Sequence, residues 1–99
     1  MNQEKYWSLL APGTHLPRLW LVLPQEHLLI SWENISRIRA TVDFMSLSFE
    51  CEHGMVQIDS PTSLQELFEN LQVERVWRID GTKLKVRLLQ QEELSLIHI

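Results

Sequence analysis

Chemistry in a short chain needs side chains that converge, and candidates are few here. The histidines His15, His27, His53 and His98 are scattered along the sequence. None has a carboxylate or cysteine at the spacing of a metal site or a catalytic triad. Cys51 is the only cysteine, so an internal disulfide is excluded. It ends an alternating stripe that points inward, the position of a buried thiol rather than a nucleophile. Glu66 and Glu69 fall on the outer side of a helical segment, where carboxylates act as solubilising charge. No glycine-rich phosphate loop, Walker A, HExxH, GxSxG or EF-hand pattern occurs. These residues lead to the expectation of a non-catalytic chain with no metal and no cofactor.

One charged constellation remains. Residues 75–87 carry five basic side chains and one acidic, the rest of the chain four basic and twelve acidic, for a formal net charge of −4. Asp80-Gly81, set between the alternating runs Val73–Ile79 and Thr82–Leu89, predicts a hairpin with a type I′ turn. In that register Arg78 opposes Lys83, Val76 opposes Lys85 and Glu74 opposes Arg87. Trp77, Ile79, Leu84 and Val86 then point into the core, and Arg78, Lys83, Lys85 and Arg87 share the other face. Like charges placed directly across a ladder repel, and an anionic partner would relieve them. The plainer reading is a solvated face, with Glu74 pairing Arg87 and lysine blocking edge-to-edge aggregation.

The elements that must carry these residues follow from length and patterning. Ninety-nine residues, 44% of them apolar and 22% charged, are expected to make a single domain over 1–99 with one modest core. Met1-Asn2-Gln3-Glu4-Lys5 is not a basic segment leading into an apolar run, so no signal peptide is expected. Pro24, Gln25, Glu26 and His27 interrupt the apolar stretch Leu19–Ile30, short of the roughly 20 residues that span a bilayer. These features point to a cytoplasmic chain without membrane contact, and the mild acidity argues against bulk affinity for nucleic acid.

Pro12-Gly13 marks a turn. Leu19–Leu23 and His27–Trp32 form a hairpin about Pro24-Gln25-Glu26, with Leu23 facing Leu28 and Leu21 facing Ile30. Val22 and Leu29 make its second face apolar as well, so it must be covered twice. Trp20, Val22, Leu29 and Trp32 are therefore the candidate subunit interface, against the alternative that the tryptophans pack in the core. Ile35–Val42 alternates, with Ile38, Ala40 and Val42 inward. Phe44–Cys51 alternates with Met45, Leu47, Phe49 and Cys51 inward, and turns at His53-Gly54 so that Cys51 faces Val56 and Phe49 faces Ile58. Ser63 and Glu66 have the spacing of a capping box. Leu64, Leu67, Phe68 and Leu71 follow at one helical stripe, predicting a helix over about 63–71. Leu94, Leu96, Ile97 and Ile99 are expected to dock back.

From His27 to about Leu88 the order of elements resembles the LytTR type of DNA-binding domain of bacterial response regulators. Ile35-Ser36-Arg37-Ile38-Arg39-Ala40 resembles a family strand, Phe44–Ile58 its next hairpin, and Ser63-Leu64-Gln65-Glu66-Leu67 with Leu71 its short helix. Trp77-Arg78-Ile79 resembles the opening of the family signature. The signature then departs: Asp80, Gly81 and Thr82 stand where the family has His, Arg and Ser, and Lys85-Val86-Arg87 stands where an Asn is common. Only Arg78 carries over. The resemblance implies DNA binding.

The combined expectation is an α+β fold. It has an antiparallel, strongly curved or barrel-like sheet of about six or seven strands, with one short helix on it. The function expected is a binding or interaction module that associates with a protein partner or itself. The alternative is a nucleic-acid-binding domain of a regulator that uses the basic 78–87 face.

Overall fold

Apolar side chains at every second position draw the chain into two sheets rather than one. The computed structural model describes residues 6–90. Its elements are β1 (Trp7–Leu9), β2 (Arg18–Val22), β3 (His27–Ser31), a 3-10 turn (Trp32–Asn34), β4 (Ser36–Ala40), β5 (Ser46–Cys51), β6 (Gly54–Asp59), α1 (Gln65–Gln72), β7 (Val76–Asp80) and β8 (Lys85–Leu89). The first sheet has the order β1-β7-β2-β3 and the second β4-β5-β6-β8. Neither closes on itself, so the α+β class holds and the barrel-like single sheet does not. The first sheet is mixed, because β2 and β7 run parallel. Leu19, Leu21 and Ile30 of the first sheet, Leu47, Phe49, Val56 and Ile58 of the second, and Leu64, Leu67 and Leu71 beside them join one apolar cluster. Each such side chain contributes about 1.5–3 kcal/mol by leaving water.

The helix follows its stripe. Leu64, Leu67 and Leu71 are buried, and Ser63 Oγ accepts a hydrogen bond from the Gln65 amide at 3.1 Å. That bond spans two residues, not three, and the N-cap is Leu64 without a side-chain cap, so the capping box expected from Ser63 and Glu66 does not form. The helix start is held from outside instead. Leu64 N–H donates to the Phe44 carbonyl at 2.7 Å, and the Phe44 ring packs on Phe68 with centroids 5.7 Å apart. Phe44 reaches this position with φ of 59°, at the end of a turn whose Asp43 carboxylate accepts from Thr41 Oγ1 and the Met45 amide. That turn begins at Thr41, so β4 stops at Ala40, and Val42 is fully exposed rather than inward.

Both short hairpins are two residues tighter than the sequence indicates. Leu21 pairs with Leu28 and Trp20 with Leu29, because Leu23 N–H closes on the Glu26 carbonyl at 2.8 Å around Pro24-Gln25. Cys51 pairs with Gly54 and Phe49 with Val56, around Glu52-His53. A shift of two leaves every side chain on its expected face. Pro12-Gly13 is a turn, with Gly13 at φ 86° and the Thr14 amide donating to the Ala11 carbonyl. The expected docking of Leu94, Leu96, Ile97 and Ile99 lies outside the described residues.

The largest departure is at Asp80-Gly81, which is not a hairpin. β7 ends in the first sheet and β8 begins in the second. A type I′ turn needs positive φ at Gly81, and Gly81 is not among the positive-φ residues. The Asp80 carbonyl instead accepts from both the Lys83 and Leu84 amides at 3.2 Å. The Asp80 carboxylate accepts from the Thr82 amide at 3.0 Å and the Thr82 hydroxyl at 2.5 Å. The aspartate thus winds the chain into a four-residue crossover. Glycine is required for proximity: Gly81 N–H donates to the Val22 carbonyl at 2.7 Å, and a Cβ there would lie 2.1 Å from that oxygen. Gly81→Ala is expected to destabilise the fold by roughly 1–3 kcal/mol, since backbone on both sides must shift. Thermal denaturation checks this, and an unchanged melting temperature would contradict the close approach.

Candidate interaction site

The outer face of the first sheet is set by an irregularity in β7. β1 pairs Ser8 with Arg78 and Leu9 with Val76, so Trp77 is an extra residue in the ladder. Such a β-bulge lets consecutive side chains leave on one side. Val76 and Ile79 are fully buried, while Trp77 and Arg78 between them are half-buried. Trp77, expected in the core, is thereby turned outward against Trp20, with ring centroids 5.9 Å apart at 44°.

Trp20 is the centre of the cluster. The Arg78 guanidinium carbon lies 4.8 Å from its ring centroid, a cation–π contact worth about 0.5–1 kcal/mol near a surface. Its indole Nε1–H donates to His27 Nδ1 at 3.0 Å, which places the imidazole proton on Nε2 in the neutral ring. Leu29, directly opposite Trp20 on β3, is 57% exposed. Leu29, Trp20, Arg78 and Ser8 form one row across four strands.

The other two interface candidates are buried, Val22 on the same face as Trp20 and outside the apolar cluster, Trp32 within it. Val22 is 6% and Trp32 8% exposed; Trp32 starts the 3-10 turn that leaves the first sheet and joins the apolar cluster. Trp32 Nε1 is buried without an acceptor among the described residues, beside an open cleft lined by His15, Arg18, Glu33 and Glu74.

The four candidate cations do not share a face. Arg78 lies on the first sheet, with Nη1 4.0 Å from the Asp80 carboxylate. Lys83 is exposed in the crossover. Lys85 and Arg87 alternate outward along β8, opposite Asp59 and Gln57, and Arg87 Nη2 lies 3.6 Å from the Asp59 carboxylate. Glu74, expected to pair with Arg87, faces His15 Nε2 at 3.2 Å. It sits just past α1 with φ of 58°, in the left-handed position that ends many helices. The cause of the scatter is the crossover: once β7 and β8 part into different sheets, no cross-strand relation holds between residues 78 and 83–87.

Burial pushes the Cys51 thiol above its ordinary pKa, and the Glu52 charge adds to this, so its thiolate form is disfavoured. Among the described residues no group of three or more His, Cys, Asp or Glu side chains is placed to hold a metal ion, and no helix is long and apolar enough to cross a membrane. Comparison of the chain with protein-family models, curated proteins and solved structures gave no match. The LytTR resemblance therefore has no relative to set beside it.

Two members of the cluster, Trp77 as an outward residue and His27 as the partner of Trp20, are missed by sequence reasoning. The Trp20–His27 proximity follows once the hairpin register is tightened. The bulge has no local signal, since it depends on β1.

Asp80 anchors this region. Burial works against its ionisation, but bonds from the Thr82 hydroxyl and amide and the charges of Arg78 and Lys83 outweigh burial and hold its pKa below the ordinary value. A depressed carboxylate stabilises the fold above its unfolded pKa of about 3.9 and ceases to do so as pH falls through the lower folded value. Asp80→Asn is expected to cost about 1 kcal/mol at neutral pH, with the difference narrowing below about pH 4. Urea denaturation of both forms near neutrality and at low pH checks this, and a difference independent of pH would contradict it.

Proposed function

We propose that the chain is a non-catalytic interaction module that associates with a second copy of itself through the β2–β3 end of the first sheet. The observation that carries this reading is the outward cluster of Trp20, Trp77, Arg78 and the exposed Leu29. Tryptophan and arginine are the residue types that concentrate binding energy at interface centres. Here two tryptophans and an arginine are held in place by a bulge, a tilted ring contact, a cation–π contact and an indole hydrogen bond, so little side-chain freedom is lost on contact. The outer face of the second sheet differs: Ser46, Ser48, Gln57, Asp59, Lys85 and Arg87 give it a polar, mixed-charge surface.

A cytoplasmic location belongs to the same reading, and the free Cys51 fits it, since nothing in the cysteine content calls for an oxidising compartment. The nucleic-acid alternative needs Arg78, Lys83, Lys85 and Arg87 on one face. With Arg78 on one sheet and Lys85 and Arg87 beside Asp59 on the other, no observation favours it.

Because Val22 is already covered within the chain, Leu29 is the informative position. Sedimentation equilibrium over a concentration series is expected to show a monomer–dimer equilibrium for the natural chain and a monomer for Leu29→Asp. Thermal stability should change by less than about 1 kcal/mol, as for an exposed site. A natural chain that stays monomeric to roughly millimolar concentration, where weak contacts of about −4 kcal/mol become visible, would contradict the reading.

A further inference from the structure

The four sheet edges differ in how they are protected. β4 carries Arg37 and Arg39 and a register break between Ser36 and Arg39. β8 carries Lys85 and Arg87. β1 is only three residues long. Bulges, charged side chains and short length are the usual means of stopping an edge from pairing with another chain. β3, His27-Leu28-Leu29-Ile30-Ser31, has five residues and no lysine, arginine, proline or bulge. Among the described residues nothing hydrogen-bonds to its outer side.

The ladder defines which groups that edge offers. In an antiparallel pair, residues alternate between exchanging backbone hydrogen bonds and not. The Leu23–Glu26 and Pro17–Trp32 pairs are bonded, so Leu28 and Ile30 bond to β2. The amides and carbonyls of His27, Leu29 and Ser31 therefore point away from β2, toward the open edge.

We propose that β3 pairs antiparallel with β3 of a second copy about a two-fold axis at Leu29, joining the two first sheets into one. This rests on the self-association proposed above and names its geometry. The register is self-complementary. Leu29 opposes the partner's Leu29, and His27 opposes the partner's Ser31, all with their free backbone groups facing across. Three bonded pairs give roughly six new hydrogen bonds. Leu28 meets the partner's Ile30 on the core side, so apolar faces continue into apolar faces. A second copy fits better at β3 than at β4 or β8, because pairing either of those with itself sets arginines or lysines against one another. The join also brings the Trp20–Leu29 patches of the two copies together across the axis. Five residues a side is small beside the roughly 1,200 Å² of standard interfaces, so the dimer is weak and concentration-dependent.

Ser31 allows a test confined to the backbone. Its φ is −69°, the angle that proline imposes, and among the described residues the ladder leaves its amide pointing away from β2. Ser31→Pro keeps the fold and the Trp20, Leu29, Trp77 and Arg78 cluster but removes an edge donor. Sedimentation equilibrium is expected to show dimerisation weakened at least tenfold, with unchanged circular dichroism and melting. In the natural chain, exchange of the Leu29 and Ser31 amides with solvent is expected to slow as protein concentration rises. Ser31→Pro dimerising as tightly as the natural chain, or exchange at Leu29 independent of concentration, would overturn edge pairing while leaving an association through the outer face intact. A natural chain monomeric at roughly millimolar concentration would overturn both.

Discussion

Three strands meet at Arg78. β1 pairs Ser8 with it in antiparallel sense, and β2 pairs Trp20 with it in parallel sense. Because β1 advances from Ser8 to Leu9 while β7 advances from Arg78 to Val76, Trp77 is surplus to the ladder. The surplus residue resets the alternation: Val76 and Ile79 both enter the core, and Trp77 and Arg78 both leave it. Without the bulge, strict alternation would send Trp77 inward with Ile79. Trp20 would then lose its aromatic neighbour, and the outer face of the first sheet would carry an arginine and a leucine without a rigid centre.

The same strand decides how the sheets separate. β7 sits between β1 and β2 and leaves them through Asp80–Leu84 into the second sheet. The exit is narrow because Gly81 lies directly against the Val22 carbonyl, which helps to bury Val22 and Asp80 on a sheet that is otherwise open nearby. The charges follow from this path. Arg78 stays with the aromatic cluster, while Lys85 and Arg87 travel to an edge strand beside Asp59. There, long basic side chains guard an edge. Of the three five-residue edges, β3, β4 and β8, the one without such a guard among the described residues is β3, next to the aromatic cluster.

Local patterns were legible wherever a stretch was paired with its sequence neighbour. The stripe Leu64, Leu67, Phe68 and Leu71 gives the helix, and the alternation of Leu47 and Phe49 against Val56 and Ile58 gives the central hairpin. A misjudged loop length moved two registers by an even number and did no damage to the faces. What was not legible depended on distant partners. The parallel pairing of β2 with β7 joins residues 20–22 to 78–80, and the bulge in β7 exists only relative to β1. Asp80-Gly81 has the residues of a tight hairpin, but here the aspartate caps its own turn and the glycine serves a close approach to another strand. Of the eight candidate residues, Trp20, Leu29 and Arg78 share one surface. Val22 is on the same face but covered, Trp32 is in the core, and Lys83, Lys85 and Arg87 lie elsewhere. Trp77 joins that surface from the residues assigned to the core.

The position of the Trp77 ring tests this account most directly. In nuclear Overhauser spectra of the folded chain, the Trp77 indole protons are expected to show cross-peaks to the Trp20 ring, and Trp20 Hε1 to the His27 ring. Cross-peaks from Trp77 to Leu84 and Val86, with none to Trp20, would place it in the core. That result would remove both the bulge and the surface built on it.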